Sequence, residues 1–208
     1  MELLPSHITT VTQSYEIKFK EKGSLFIGQI FHTEDENDAQ VILEGVRKKY
    51  FDATHNCYAY RITDGSIKYS DDGEPNGTAG KRILNAINHE KLFNVIIIVT
   101  RYFGGTKLGI GPLGNAYYDA SIEVIKASTK NELGLYVKAK IRYDFEFSNL
   151  IHRLISQHNV KITSNFFEDL PGMEFLIPVE TKDSFCREIK EKSLSKLKVE
   201  ITDQYIYL

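Results

Sequence analysis

Two stretches of the 208-residue chain concentrate side chains able to do chemistry: Ser70-Asp-Asp-Gly-Glu-Pro-Asn-Gly-Thr-Ala-Gly80 and Arg101-Tyr-Phe-Gly-Gly-Thr-Lys-Leu-Gly-Ile-Gly111. Each is a glycine-bearing loop that runs into a helix-like pattern. A helix start carries unpaired backbone N–H groups and partial positive charge, which suits a phosphate or carboxylate. Arg101 and Lys107 belong to the second loop, Lys81 and Arg82 follow the first, and Gly104 and Gly105 would let backbone approach a ligand. Together they make a candidate anion-accepting cleft between the two loops. The same residues also read as tight turns with solvated bases. Neither loop matches GxxxxGK[ST] or GxGxxG, so nucleotide binding of those two kinds is unsupported and no cofactor motif is present.

Asp71, Asp72 and Glu74 admit several readings. Carboxylates on a short loop suit Mg²⁺ or Ca²⁺, or supply a general acid–base group, the basis of an alternative reading as a divalent-metal-dependent hydrolase or phosphoryl-processing enzyme. Asp-Asp-Gly-Glu-Pro is equally an exposed turn, and it misses the EF-hand spacing, so no metal site is assigned. A third reading has the acids, with Gly77, Thr78 and Gly80, organising the loops through a salt bridge to Arg101 or Lys107. His55 and Cys57 share a strand face but lack an activating third group, so Cys57 reads as a buried small hydrophobe. The remaining histidines form no HxH or HExxH pair, and there is no GxSxG elbow. No catalytic set is visible.

The elements that must position these loops follow from periodicity. Tyr15 to His32 alternates around Glu21-Lys22-Gly23, a hairpin. Thr33 and Glu36 have the spacing of a capping box, and Ile42, Val46 and Tyr50 follow as a helix face. Cys57 to Ile62 reads as a strand, with a short strand after Asp64-Gly65. Ile83, Leu84 and Ile87 predict a helix to Glu90. Val95 to Val99 is an unbroken β-branched run, the pattern of a central strand covered on both faces. Pro112 fits the first position of a helix running to Ser128.

A boundary is expected near Thr129 to Gly134, dividing residues 1–133 from 134–208. Beyond it the order is strand, helix, strand, strand, helix, strand, with a turn at Leu170-Pro171-Gly172. That succession is a ferredoxin-like βαββαβ, so the whole is an α+β protein of two domains. Hydrophobic residues make up 42% and charged residues 26%, and net charge is -2, which excludes disordered chains and any global basic field. The two cysteines lack CxxC spacing, the N-terminus has no signal-peptide pattern, and no apolar run nears the ~20 residues of a membrane helix. A soluble cytoplasmic protein with no membrane partner is expected; oligomeric state is not legible.

His55-Asn-Cys-Tyr-Ala-Tyr60, the 70–80 loop and Arg101-Tyr-Phe-Gly-Gly-Thr-Lys-Leu-Gly109 resemble, in order and spacing, the signature segments of the YigZ/IMPACT family. The resemblance covers about Lys18 to Ser128. This chain has Asn76 where relatives often carry a small residue, and Gly109-Ile-Gly-Pro-Leu113 where they often carry Gly-Ala-Gly-Gly-Leu. The resemblance implies an N-terminal β-α domain similar to RNase PH and elongation factor G domain IV, and a C-terminal domain similar to that factor's domain V. Its eukaryotic relatives are translation regulators that depend partly on an N-terminal RWD domain, for which these 208 residues offer no counterpart. The resemblance to factor domains, taken with Arg101 and Lys107 beside helix-entry loops, leads to the expectation of an RNA- or ribosome-associated binding protein that regulates translation, with a protein of the translation apparatus as a further candidate partner. The presumed functional surface is Asp71, Asp72, Glu74, Gly77, Thr78, Gly80, Arg101, Gly104, Gly105 and Lys107.

Overall fold

The computed structural model describes residues 4–208. They form a mixed α+β protein with antiparallel sheets and five α-helices, divided into two units. One comprises residues 9–132; the other joins residues 4–8 to 133–208. The change falls at Glu132/Leu133, and residues 4–8 go with the second unit instead of the first. Strand β1 (His7–Val11), which the sequence reading did not anticipate, carries the chain from one unit into the other.

In the first unit, β2 (Tyr15–Glu21) and β3 (Ser24–His32) form the expected hairpin, with Lys22 and Gly23 at positive φ in the turn. Helix α1 (Glu36–Lys49) is capped by Asp35, not Thr33: the Asp35 carboxylate accepts from the Asp38 amide at 2.8 Å, while the Thr33 hydroxyl donates to the Asp35 carbonyl. Both residue types cap well, and the carboxylate sits nearer the free N–H groups. The buried face is accordingly Ala39, Leu43 and Val46. Next come β4 (His55–Arg61), β5 (Ile67–Ser70), α2 (Gly80–His89), β6 (Val95–Tyr102) and α3 (Ile110–Ala127).

The sheet order is β2-β3-β6-β4-β5, so the aliphatic run of β6 is central. Val95, Ile97 and Val99 point into a core closed by α2 and α3. Ile96 and Ile98 point the other way, into a core closed by α1. Period-2 alternation with both faces covered explains why the run contains no polar residue until Thr100. Pro112 lies at the third helical position, because Gly109 is the N-cap and the first i to i−4 bond is Leu113 N–H to the Gly109 carbonyl. Its missing donor is still harmless within the first turn.

In the second unit, β7 (Lys130–Arg142), α4 (Ser148–Gln157), β8 (Lys161–Phe167), β9 (Pro171–Pro178), α5 (Lys182–Lys192) and β10 (Glu200–Tyr207) give the expected succession. The strands lie in the order β10-β7-β9-β8, and β1 also pairs with β7. One face carries Val137, Ala139, Ile141, Phe175 and Ile177 against Ile151, Leu154, Phe185 and Ile189 from the two helices. Pro171 and Gly172 belong to β9 and not to the turn: Pro171 is opposite Phe167, and a Cβ on Gly172 would come within 2.3 Å of the Phe166 ring.

Candidate functional site

The C-terminal end of β6 brings Arg101 opposite Phe26 of β3 and His55 of β4. Strand alternation puts Arg101 on the face of Ile97 and Val99, under the helices, and it is only 5% exposed. Its Nη1 donates to Glu74 Oε1 at 2.7 Å and its Nη2 to Ser24 Oγ at 3.2 Å. Among the described residues its buried Nε–H meets no acceptor. The Tyr117 hydroxyl of α3 donates to the same Glu74 oxygen at 2.7 Å. Burial, with Cys57 and Glu74 beside it, pushes the Tyr117 hydroxyl pKa up, which keeps it a neutral donor. One carboxylate thus ties the first loop to the sheet and to α3.

The other acids point elsewhere. Asp71 Oδ1 accepts from the Ala79 and Gly80 amides at 2.9 Å and Oδ2 from the Gly77 amide at 2.8 Å. Its carboxylate therefore fills the N-terminus of α2, where an exogenous anion was expected. Asp72 binds Arg47 at 2.8 Å and the Asn56 amide at 2.7 Å, and its carbonyl accepts the His55 Nδ1–H at 2.7 Å. His55 Nε2 is 3.8 Å from Glu74. Among the described residues no three His, Cys, Asp or Glu side chains converge as metal ligands. The three carboxylates thus diverge toward separate partners, whereas a shared divalent ion needs oxygens pointing at one centre. Cys57 donates to the Asp71 carbonyl, is fully buried, and has its thiol pKa pushed up by that burial, so it is not an activated nucleophile.

Two of the glycines, Gly80 and Gly104, are fixed by backbone packing. A Cβ on Gly104 would lie 1.9 Å from the Gly23 carbonyl carbon, and one on Gly80 would lie 2.6 Å from Ser70 backbone. Gly77 and Gly105 have open space but positive φ, so their requirement is conformational. Thr78 is buried, with its hydroxyl donating to the Pro75 carbonyl. Lys81 and Arg82 are exposed on α2, and the Arg82 side chain lies against Gly114 of α3. Neither joins the cleft assigned to it.

What the two loops do enclose is a cavity of about 380 Å³ lined by Pro75 from the first, by Arg101, and by Phe103, Lys107, Ile110 and Leu113. The α3 N-terminus opens onto it: Gly109 is the N-cap, at φ +86°, with no side-chain cap. Arg101 and Lys107 are thus brought to one place as expected, but Arg101 arrives already paired. Sequence reading missed Ser24 and Tyr117 as partners and Phe103, Ile110 and Pro75 as walls. Tyr117 offered a signal, a hydroxyl on a helix face otherwise built of Leu113, Ala116, Ala120 and Val124; Ser24 offered none.

These site residues, Ser24 to Tyr117, all fall within residues 22–125, which match the Impact N-terminal domain family. A Haemophilus influenzae protein named IMPACT family member is 32% identical over 189 residues, covering 88% of this chain and 90% of that protein. The chain belongs to the IMPACT family. A second IMPACT relative, the family member YigZ of Escherichia coli, is 27% identical over 201 residues, covering 95% of this chain and 96% of its own. A crystal structure of a hypothetical protein superposes with TM-score 0.69 at 24% identity, covering 97% of this chain and 100% of that one, which shows a shared fold. Among the described residues no helix is long and apolar enough to cross a membrane.

Proposed function

We propose that this IMPACT-family protein is a cytoplasmic binding module of the translation apparatus and a regulator of translation. It would engage RNA, free or within the ribosome, by seating a phosphate in the cavity between the two loops. One observation carries the reading: Lys107 and an uncapped helix N-terminus meet at a cavity whose wall is the buried Arg101. Lys107 supplies a mobile charge and the first-turn N–H groups supply fixed dipoles. Arg101 contributes less charge than its type suggests because Glu74 neutralises it at 2.7 Å. With a net charge of -2, affinity must come from this local site and not from a general field.

The fold supports the same reading. The βαββαβ succession with strand order β10-β7-β9-β8 fits a ferredoxin-like domain comparable to elongation factor G domain V. The first unit's sheet with helices on both faces fits a comparison with domain IV of that factor and with RNase PH. Fold likeness alone does not fix function, so the weight stays on the cavity.

Co-sedimentation with ribosomes and with RNA over a salt series tests the proposal. Wild type is expected to bind at low salt and to release as salt rises, and Lys107→Ala to flatten the dependence by about 0.7 to 0.9 in log–log slope, the loss of one phosphate contact. Equal binding by both proteins, or none by either, would reject it.

A further inference from the structure

We infer that the nucleotide held in this cavity is unpaired, its base lying against Phe103 while its phosphate meets Lys107 and the start of α3. The inference rests on the RNA reading above and specifies the form of RNA recognised. Its basis is the character of the walls. A phosphate needs donors and charge only, yet Pro75, Phe103, Ile110 and Leu113 make most of this cavity apolar. Phe103, on the loop that runs into α3, is 46% exposed, and Ile110, the first residue of that helix, 71%. What distinguishes these two from the chain's other exposed apolar side chains is that they line one cavity together with Lys107.

An unstacked base is a flat apolar face attached to a phosphate, which matches a ring and a cation side by side. The Arg101 guanidinium lies 5.5 Å from the Phe103 ring centroid, within cation–π range, and helps fix the ring's position. Pro75, from the other loop, brings a second rigid apolar surface. The volume of about 380 Å³ is in the range of small-ligand sites, enough for a base and too small for a duplex. In a duplex each base face is already covered by its neighbours, so a duplex would offer the cavity its phosphates alone.

Anisotropy titrations of a short labelled oligouridylate, the matching oligoadenylate and the duplex formed from the two test this with the full chain. Wild type is expected to bind either single strand about tenfold or more tighter than the duplex. Phe103→Ala is expected to lose roughly tenfold on single strands with the salt slope unchanged. Phe103→Trp should restore the affinity, since any large aromatic ring stacks. Lys107→Ala should flatten the slope for single strands and duplex alike. Equal affinity for single strand and duplex, with Lys107→Ala still impaired, would overturn the inference and leave RNA binding standing. Absence of binding to any of the three would overturn both. Tighter binding of an acidic, phenylalanine-containing peptide than of the oligonucleotides would overturn them in favour of a protein partner. Thermal melts of each variant establish that it is folded, which the exposed positions of Phe103 and Lys107 favour.

Discussion

Glu74 and Arg101 lie 2.7 Å apart with their side chains 4% and 6% exposed, a buried ion pair between a loop and a central strand. Such a pair gains little over a well-packed apolar one, but removing one member strands the other's charge. Arg101→Ala is expected to destabilise the protein by about 3–5 kcal/mol in urea denaturation. Glu74→Gln combined with Arg101→Met should recover much of that loss. A single-variant cost below about 1 kcal/mol would contradict the pairing.

Asp71 has both carboxylate oxygens on backbone amides at the start of α2. Asp71→Ala should cost about 1–2 kcal/mol, as for the loss of an N-cap, and should vacate an anion site. Sulfate is therefore expected to raise the melting temperature of the variant by more than that of the wild type. Equal sulfate shifts would show that the site had closed over.

Gly104 and Gly105 are adjacent but constrained differently. A Cβ at 104 collides with the backbone of Gly23 and Ser24, whereas 105 has room and only a φ of +84°. Gly104→Ala should lower the melting temperature well beyond Gly105→Ala, whose cost is expected near 1–2 kcal/mol. The reverse order would contradict the close approach of Gly104 to the hairpin backbone.

Glu16 on β2 takes hydrogen bonds from the Tyr50 hydroxyl at 2.7 Å and from Lys49 at 3.0 Å, with Lys18 also at 3.0 Å. Burial acts to raise its pKa, but these partners together outweigh it and hold the carboxyl down at about 2, against an ordinary 4.5. The unfolded chain therefore takes up a proton before the folded one does. The stabilisation is complete above about 4.5 and drains away as pH falls toward about 2. Denaturation midpoints across that window should fall less steeply for Glu16→Gln than for wild type.

Much of the frame was legible because burial leaves a period. The Val95–Val99 run announced a strand covered on both sides, and the alternation of Tyr15, Ile17 and Phe19 announced a hairpin strand with one buried face. Strand parity also places Arg101 on the face of Val99, so its burial could have been read; a salt bridge from the acidic loop to Arg101 was one of the readings, and what the sequence did not show was that Glu74 makes it. A carboxylate in a glycine-rich loop looks the same whether it faces water, an amide or a guanidinium: Asp71 takes only backbone amides, Asp72 an amide and the Arg47 guanidinium, and Glu74 the Arg101 guanidinium and the Tyr117 hydroxyl. Where two residues could do one job, as Thr33 and Asp35 at the cap of α1, a two-residue error followed. The closeness of Gly23 and Gly104 left no sequence trace, because contact between distant backbones has no local pattern.

The chain passes between its units at two places, before Thr9 and after Glu132, so neither unit is obtained by a single cut. A polypeptide ending at Glu132 would keep every partner of Glu74. It would also strand the Ser6 carbonyl, which takes the Leu135 amide, and the Pro5 carbonyl, which takes the Tyr207 hydroxyl. Trimming the leading residues as well, to 9–132, removes those orphans, and that doubly shortened polypeptide is the minimal vehicle for asking what the loop cavity does by itself.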